Sequence, residues 1–147
     1  MASYVSRYRP QHDGRGAYTK LCRAPVIRVG TDLIEIGRIR RSLERYAGFR
    51  DRCFTPAEQE YCESRANPAE SYAGRFAGKE AVGKALGFGV ARAFAWKEIE
   101  IVGRPKPSVR LSGRLAAVAE RSGVRAIDLS MTHSRELAQA VAVASDA

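Results

Sequence analysis

Glu80 and Lys84 stand four residues apart in the stretch Arg75-Phe76-Ala77-Gly78-Lys79-Glu80-Ala81-Val82-Gly83-Lys84-Ala85-Leu86-Gly87-Phe88-Gly89. Alanine and leucine with glycine only at intervals predict a helix, and Gly87 and Gly89 predict its stop. On that helix the carboxylate and the ammonium share a face with Ala73, Phe76, Ala77, Gly83 and Gly87. A charged pair among small apolar neighbours is costly to bury without a partner, and the small side chains leave room for one. Taken alone, the helix fits a plainer reading better: a buried small-residue segment with one surface ion pair. The run Gly78-x-x-x-x-Gly83-Lys84-Ala85 also comes one residue short of a phosphate loop. Ala85 has no hydroxyl for a magnesium ion, and the loop needs a preceding strand where residues 70–77 read as helix. The phosphate-loop reading is therefore set aside.

Two further residues can do chemistry. Asp32 interrupts the β-branched run Val26–Ile36, which otherwise reads as a strand. Gly30, two residues earlier, would admit another backbone or a ligand at close range. The plainer alternative is an aspartate that closes the strand and caps the next helix. His133 falls at the end of a predicted strand, where a lone histidine is often structural. Two carboxylates without a cysteine partner suit a hard cation. Magnesium fits best, since it commonly takes one or two carboxylates and completes its shell with water and phosphate oxygens. Lys79 and Lys84 would then lie near those oxygens. Spacing alone does not put Asp32 and Glu80 on one side of the domain.

The elements that must position these residues read as follows. Residues 37–46 form a helix with an apolar stripe of Ile39, Leu43 and Tyr46 and a basic stripe of Arg38, Arg41 and Arg45. Thr55-Pro56-Ala57-Glu58 is a capping box with proline at the first helical position, and Asn67-Pro68-Ala69-Glu70 repeats the device. It starts the long helix that ends near Gly87. Trp96–Val102 and Ser108–Leu111 read as strands around a Gly-Pro turn. Residues 112–122 read as a Ser-capped helix, and residues 126–132 and 137–144 as the last strands. Without a regular βαβ repeat, this mixture predicts an α+β fold with an antiparallel sheet.

The chain has 147 residues, 45% hydrophobic and 28% charged, enough for one globular domain with a core. No apolar run approaches the roughly 20 residues of a membrane span. The polar N-terminus offers no hydrophobic signal region. Cys22, Cys53 and Cys62 lack metal-type spacing, which predicts reduced, structural thiols in a cytoplasmic protein. The net charge is +9, of which +4 lies in residues 1–25. This favours an anionic partner without choosing one. Residues 1–25 show no periodicity and are expected to form a flexible or loosely docked extension, with residues 26–147 as the domain.

Several spaced motifs supply what spacing alone does not. Val29-Gly30-Thr31-Asp32-Leu33-Ile34-Glu35-Ile36, Phe54-Thr55-Pro56-Ala57-Glu58, the stretch Arg75–Gly87, and Leu129-Ser130-Met131-Thr132-His133 occur in this order. Together they resemble holo-[acyl-carrier-protein] synthases, a group of 4′-phosphopantetheinyl transferases, from about Val26 to Ala144. The resemblance implies a 4′-phosphopantetheinyl transferase-like fold that forms a homotrimer with active sites between subunits. It implies that Asp32 and Glu80 hold Mg²⁺ and that Lys84 stabilises charge on the transferred phosphate. Lys79 is the basic residue before the metal-binding glutamate. His133 matches a coenzyme A contact, and the loop of Gly87 and Gly89 approaches the coenzyme. Arg38 and Arg45 match contacts to the acidic carrier protein, and Arg41 shares their stripe. Gly78 and Gly83 depart from the pattern, where relatives often carry larger residues, as does Gly87-Phe88-Gly89.

The implied reaction transfers 4′-phosphopantetheine from coenzyme A to a serine of an acyl carrier protein, releasing adenosine 3′,5′-bisphosphate. A water on the metal or one of the carboxylates would take the serine proton. Two other classes compete. A non-catalytic module that holds coenzyme A or a carrier domain is disfavoured by the intact Asp32, Glu80 and Lys84. A nucleic-acid-binding domain is suggested only by charge and lacks aromatic recognition motifs, so no nucleic-acid partner is expected; a steep salt slope in a filter-binding assay would reveal one.

Overall fold

The computed structural model describes residues 26–88, 93–103 and 105–147; the 1–25 extension, Cys22 and Gly89 lie outside them. The fold is organised on one helix, α4 (Pro68–Ala85). Ala69, Ala73, Ala77, Ala81 and Ala85 recur every fourth position, which puts them on one seam of the helix, and all five are buried. They face a three-stranded antiparallel sheet of β1 (Ile27–Glu35), β5 (Leu137–Ser145) and β4 (Ala126–His133), in the order β1-β5-β4. The central strand answers with alanines of its own: Ala138, Ala140, Ala142 and Ala144 are at most 1% exposed. Alanine against alanine lets helix and sheet approach closely, which is why so small-residued a helix forms the centre of the core.

At Gly30 the approach becomes backbone contact. A Cβ there would stand 2.0 Å from the carbonyl oxygen of Ala81 and 2.5 Å from the nitrogen of Ala85. Neither atom can move without displacing α4. Gly30→Ala is therefore expected to destabilise the protein by on the order of 3 kcal/mol or more, which a urea melt would measure. It is also expected to push Asp32 away from α4, so activity falls even where the variant is folded.

The remaining elements surround α4. α1 (Ile36–Arg45) follows β1 directly and buries Ile36 and Ile39. The short α2 (Phe49–Cys53) precedes α3 (Pro56–Glu63). A 3₁₀ segment, Ala93–Glu98, leads into the hairpin of β2 (Ile99–Val102) and β3 (Ser108–Leu111). α5 (Gly113–Arg121) closes the set. The capping box of α3 forms as expected, Thr55 and Glu58 each accepting the other's backbone N–H. That of α4 does not: the Asn67 amide donates to the Glu70 carboxylate at 3.0 Å instead of capping the backbone. Ser112 does not cap α5 either. Glu98 does so from the adjoining end of the β2–β3 hairpin, its carboxylate accepting Leu115 N–H at 2.9 Å. Residues 96–98, expected in strand, belong to the 3₁₀ segment.

Among the described residues, nothing covers the sheet's other face. Ile27, Val29 and Leu33 are about 60% exposed, and Leu137, Val141 and Val143 project on the same side of the neighbouring strand. Among the described residues no helix is long and apolar enough to cross a membrane. Cys53 and Cys62 are buried free thiols.

Candidate active site

Strand alternation points Gly30, Asp32 and Ile34 toward α4. Glu80 and Lys84, one turn apart on α4, face back, and the expected convergence is present. Lys84 Nζ lies 2.8 Å from Asp32 Oδ1 and donates to the Thr31 carbonyl at 2.8 Å. The sequence left open whether the two acids share a side of the domain; they do, and Asp32 sits within β1 as a ladder residue opposite Ala140.

Glu80 is 5% exposed, and its Oε1 is buried without a hydrogen-bond partner. Burial pushes its carboxyl up to about 7, the Asp32 charge adds to the rise, and Lys84 and Arg38 oppose it. An orphaned carboxylate oxygen beside a second carboxylate is an arrangement that a divalent cation relieves. No group of three or more His, Cys, Asp or Glu side chains gathers among the described residues. A cation bound here would have the two carboxylates of Asp32 and Glu80 to draw on, a set that suits magnesium completed by water and phosphate.

A raised carboxyl has a consequence for stability. Between about 4.5, the ordinary value, and about 7, the folded chain holds a proton that the unfolded chain has released. Stability of the metal-free protein should therefore fall as pH rises through that window and stay low above it. Glu80→Gln removes this dependence. Urea melts in chelator should show the variant more stable than the wild type by about 1–3 kcal/mol above the window, and little different below it.

Lys79 is not where the sequence expectation put it. Its side chain is fully buried, with Nζ 2.7 Å from Glu58 Oε2, 2.6 Å from the Ile99 carbonyl and 2.9 Å from the Trp96 carbonyl. All three of its donors are taken inside the protein, so none is left for a phosphate. Successive helical residues point about 100° apart, and the wheel that joined Glu80 to Lys84 already left Lys79 off their face. Glu58, read from sequence only as part of a cap, is the functional-scale surprise: it is 1% exposed and also accepts Ile101 N–H at 3.0 Å.

His133 is not brought to the carboxylates within one chain. Its Nε2 lies 3.1 Å from Glu70 Oε1, and Glu70 precedes Glu80 by ten residues, about 15 Å along the helix axis. Gly87 ends α4 at φ +81°. Gly87 N–H bonds the Lys84 carbonyl and Phe88 N–H that of Gly83, a Schellman turn that only a residue tolerant of positive φ makes cheaply. Arg38, Arg41 and Arg45 are exposed on α1.

The chain belongs to the 4′-phosphopantetheinyl transferase superfamily, whose family model matches residues 28–142. Within it, the chain falls among the holo-[acyl-carrier-protein] synthases. It is 49% identical over 118 residues to the holo-[acyl-carrier-protein] synthase of Chlamydia felis (strain Fe/C-56), covering 79% of this chain and 94% of that protein. The structure is similar to that of the holo-[acyl-carrier-protein] synthase from Neisseria meningitidis, with a TM-score of 0.71 and 31% identity, over 80% of this chain and 96% of that one. It is also similar to the Bacillus anthracis str. Ames enzyme in complex with CoA (3′,5′-ADP), with a TM-score of 0.68 and 30% identity, over 84% and 100% of the two chains.

Proposed function

We propose that this enzyme transfers 4′-phosphopantetheine from coenzyme A to a serine hydroxyl of an apo-acyl carrier protein. The observation that carries the mechanism is the convergence of Asp32, Glu80 and Lys84 at one edge of the helix–sheet contact. The serine Oγ attacks the phosphorus that bears the pantetheine arm. The bond from that phosphorus to the bridging diphosphate oxygen breaks, and adenosine 3′,5′-bisphosphate leaves with the electron pair. Asp32 and Glu80 would hold Mg²⁺, which as a Lewis acid spreads the charge of a diphosphate. Lys84 is held by the Thr31 carbonyl and Asp32, so its ammonium is positioned before substrate arrives and stabilises charge growing on the phosphate. The serine proton would be taken by one of the two carboxylates or by a water at the site.

The site is completed, in this reading, by a neighbouring subunit of a homotrimer. The uncovered apolar sheet face supports association, since exposed patches of that kind mark interfaces. The separation of His133 from Glu80 along α4 supports a coenzyme site built from two chains, with His133 and the Gly87 turn as coenzyme contacts. The exposed stripe of Arg38, Arg41 and Arg45 would dock the acidic carrier, making association salt-sensitive. A cytoplasmic location belongs to the same reading.

Incubation with coenzyme A, Mg²⁺ and an apo-carrier should add one phosphopantetheine to the carrier's intact mass, and a carrier with its acceptor serine replaced by alanine should stay unmodified. No adduct on any of several carriers would refute transferase activity.

A further inference from the structure

Glu58 and Lys79 form a fully buried ion pair that the transfer chemistry does not use. Its bonds reach four elements. Glu58 Oε2 accepts Thr55 N–H at 2.9 Å, at the start of α3, and Glu58 Oε1 accepts Ile101 N–H on β2 at 3.0 Å. Lys79 projects from α4 and ties the Trp96 carbonyl in the 3₁₀ segment to the Ile99 carbonyl at the start of β2. Every donor of the ammonium and both oxygens of the carboxylate are engaged.

Other directional bonds of α4 lie nearer its ends, from Tyr72 to Glu63, between Glu70 and His133, and from Lys84 to Thr31 and Asp32; its packing against the sheet is of a different kind. Toward the sheet it offers alanines and Gly78. Such surfaces permit close approach, but small, smooth side chains resist rotation of a helix about its own axis weakly. Directional bonds resist it strongly. Lys79 is the residue next to Glu80, about 100° from it around the helix: Lys79 reaches α3 and β2, and Glu80 lies toward Asp32 on β1. A rotation of α4 by about 10° would carry a side-chain terminus on its circumference by about 1 Å, enough to cost a reaction about 100-fold.

We propose that the Glu58–Lys79 pair is a positioning device that fixes the rotation of α4 and so sets Glu80 against Asp32. This rests on the reading of Asp32 and Glu80 as the pair that holds the divalent cation. Glu58 and Lys79 touch neither substrate nor cation; they act through Glu80. A pair kept only for stability would be replaceable, since neutral groups of similar volume often substitute for buried ion pairs at little cost.

The test compares wild type, Glu58→Gln, and the double variant Glu58→Gln/Lys79→Met, at a temperature where circular dichroism shows each folded. Manganese(II) binding to the substrate-free protein is followed by electron paramagnetic resonance, beside steady-state transfer kinetics. The expected result for the folded double variant is about 10- to 100-fold weaker Mn²⁺ binding and a kcat lowered about 100-fold, with the KM for coenzyme A changed little. Glu58→Gln retains the acceptor for Ile101 N–H and should show the same losses at smaller size, about 10-fold in kcat. Should the double variant not fold, the single variant decides. A folded variant with wild-type Mn²⁺ affinity and kcat overturns the proposal. Wild-type protein that binds no Mn²⁺, or Glu80→Gln that binds it as well as wild type, would instead refute the cation site itself.

Discussion

Glu80→Gln is expected to lower transfer about a thousandfold or more while leaving the protein folded and, above neutral pH, more stable than wild type. The size follows from what the substitution removes. The substitution removes one of the two carboxylates that the proposed mechanism places at the diphosphate, and electrostatic groups aimed at developing charge are typically worth about 100- to 1000-fold each; weakened cation binding would add to that. The stability gain follows from the same burial that raises the Glu80 carboxyl to about 7. Glutamine fills the site without a charge to desolvate. The two effects run in opposite directions, so lost activity cannot be ascribed to unfolding. Steady-state transfer rates with Mg²⁺, beside urea melts of the same preparations in chelator, check both. Full activity in a folded Glu80→Gln protein would remove Glu80 from the mechanism.

The second large effect belongs to a residue on the opposite face of the sheet from the carboxylates. Val141 lies near the middle of the exposed sheet face, opposite Thr31 on β1 and Ser130 on β4. Its side chain points away from the alanine-lined core, so Val141→Glu should cost the fold of one chain little, within about 0.5 kcal/mol. If that face is covered by other copies of the chain, each interface would bury an unpaired carboxylate at a cost of several kcal/mol. The expected outcome is a folded monomer with transfer reduced at least about 100-fold, because His133 would no longer meet the carboxylates of a neighbour. Sedimentation velocity and the transfer assay measure the two consequences separately. A Val141→Glu protein that stays trimeric and active would contradict an interface on this face. A monomer with full activity would show that one chain suffices.

Much of the framework was legible because its signals are local. The β-branched run at Val26–Ile36, the capping box at Thr55, the alanine-rich helix and its glycine stop each depend on neighbours within a few residues. Asp32 and Glu80 were legible as chemistry because acids are out of place in a strand and in a small-residue helix. What escaped depends on distance. Glu98 caps α5 from the position just before β2, brought there only by the pairing of β2 with β3, so the partnership cannot be read from the residues around Ser112. The five residues of α2 are too few to show a helical period. Lys79 and Glu58 are 21 positions apart, and burial of both could not be read from either neighbourhood; the sequence suggested a phosphate for Lys79 because Glu80 stood beside it. The helical wheel held the corrective signal, since it set Lys79 off the face of Glu80 and Lys84. The uncovered sheet face shows the reverse case. Val29, Leu33, Val141 and Val143 read as ordinary strand hydrophobics, and only the pairing register reveals that they point away from the core.

The most direct test is anomalous diffraction from crystals grown with Mn²⁺ and coenzyme A. A peak bonded to both the Asp32 and Glu80 carboxylates and to the coenzyme diphosphate is the predicted result. An ion held at the diphosphate without either carboxylate, or a diphosphate bound away from Lys84, would contradict it.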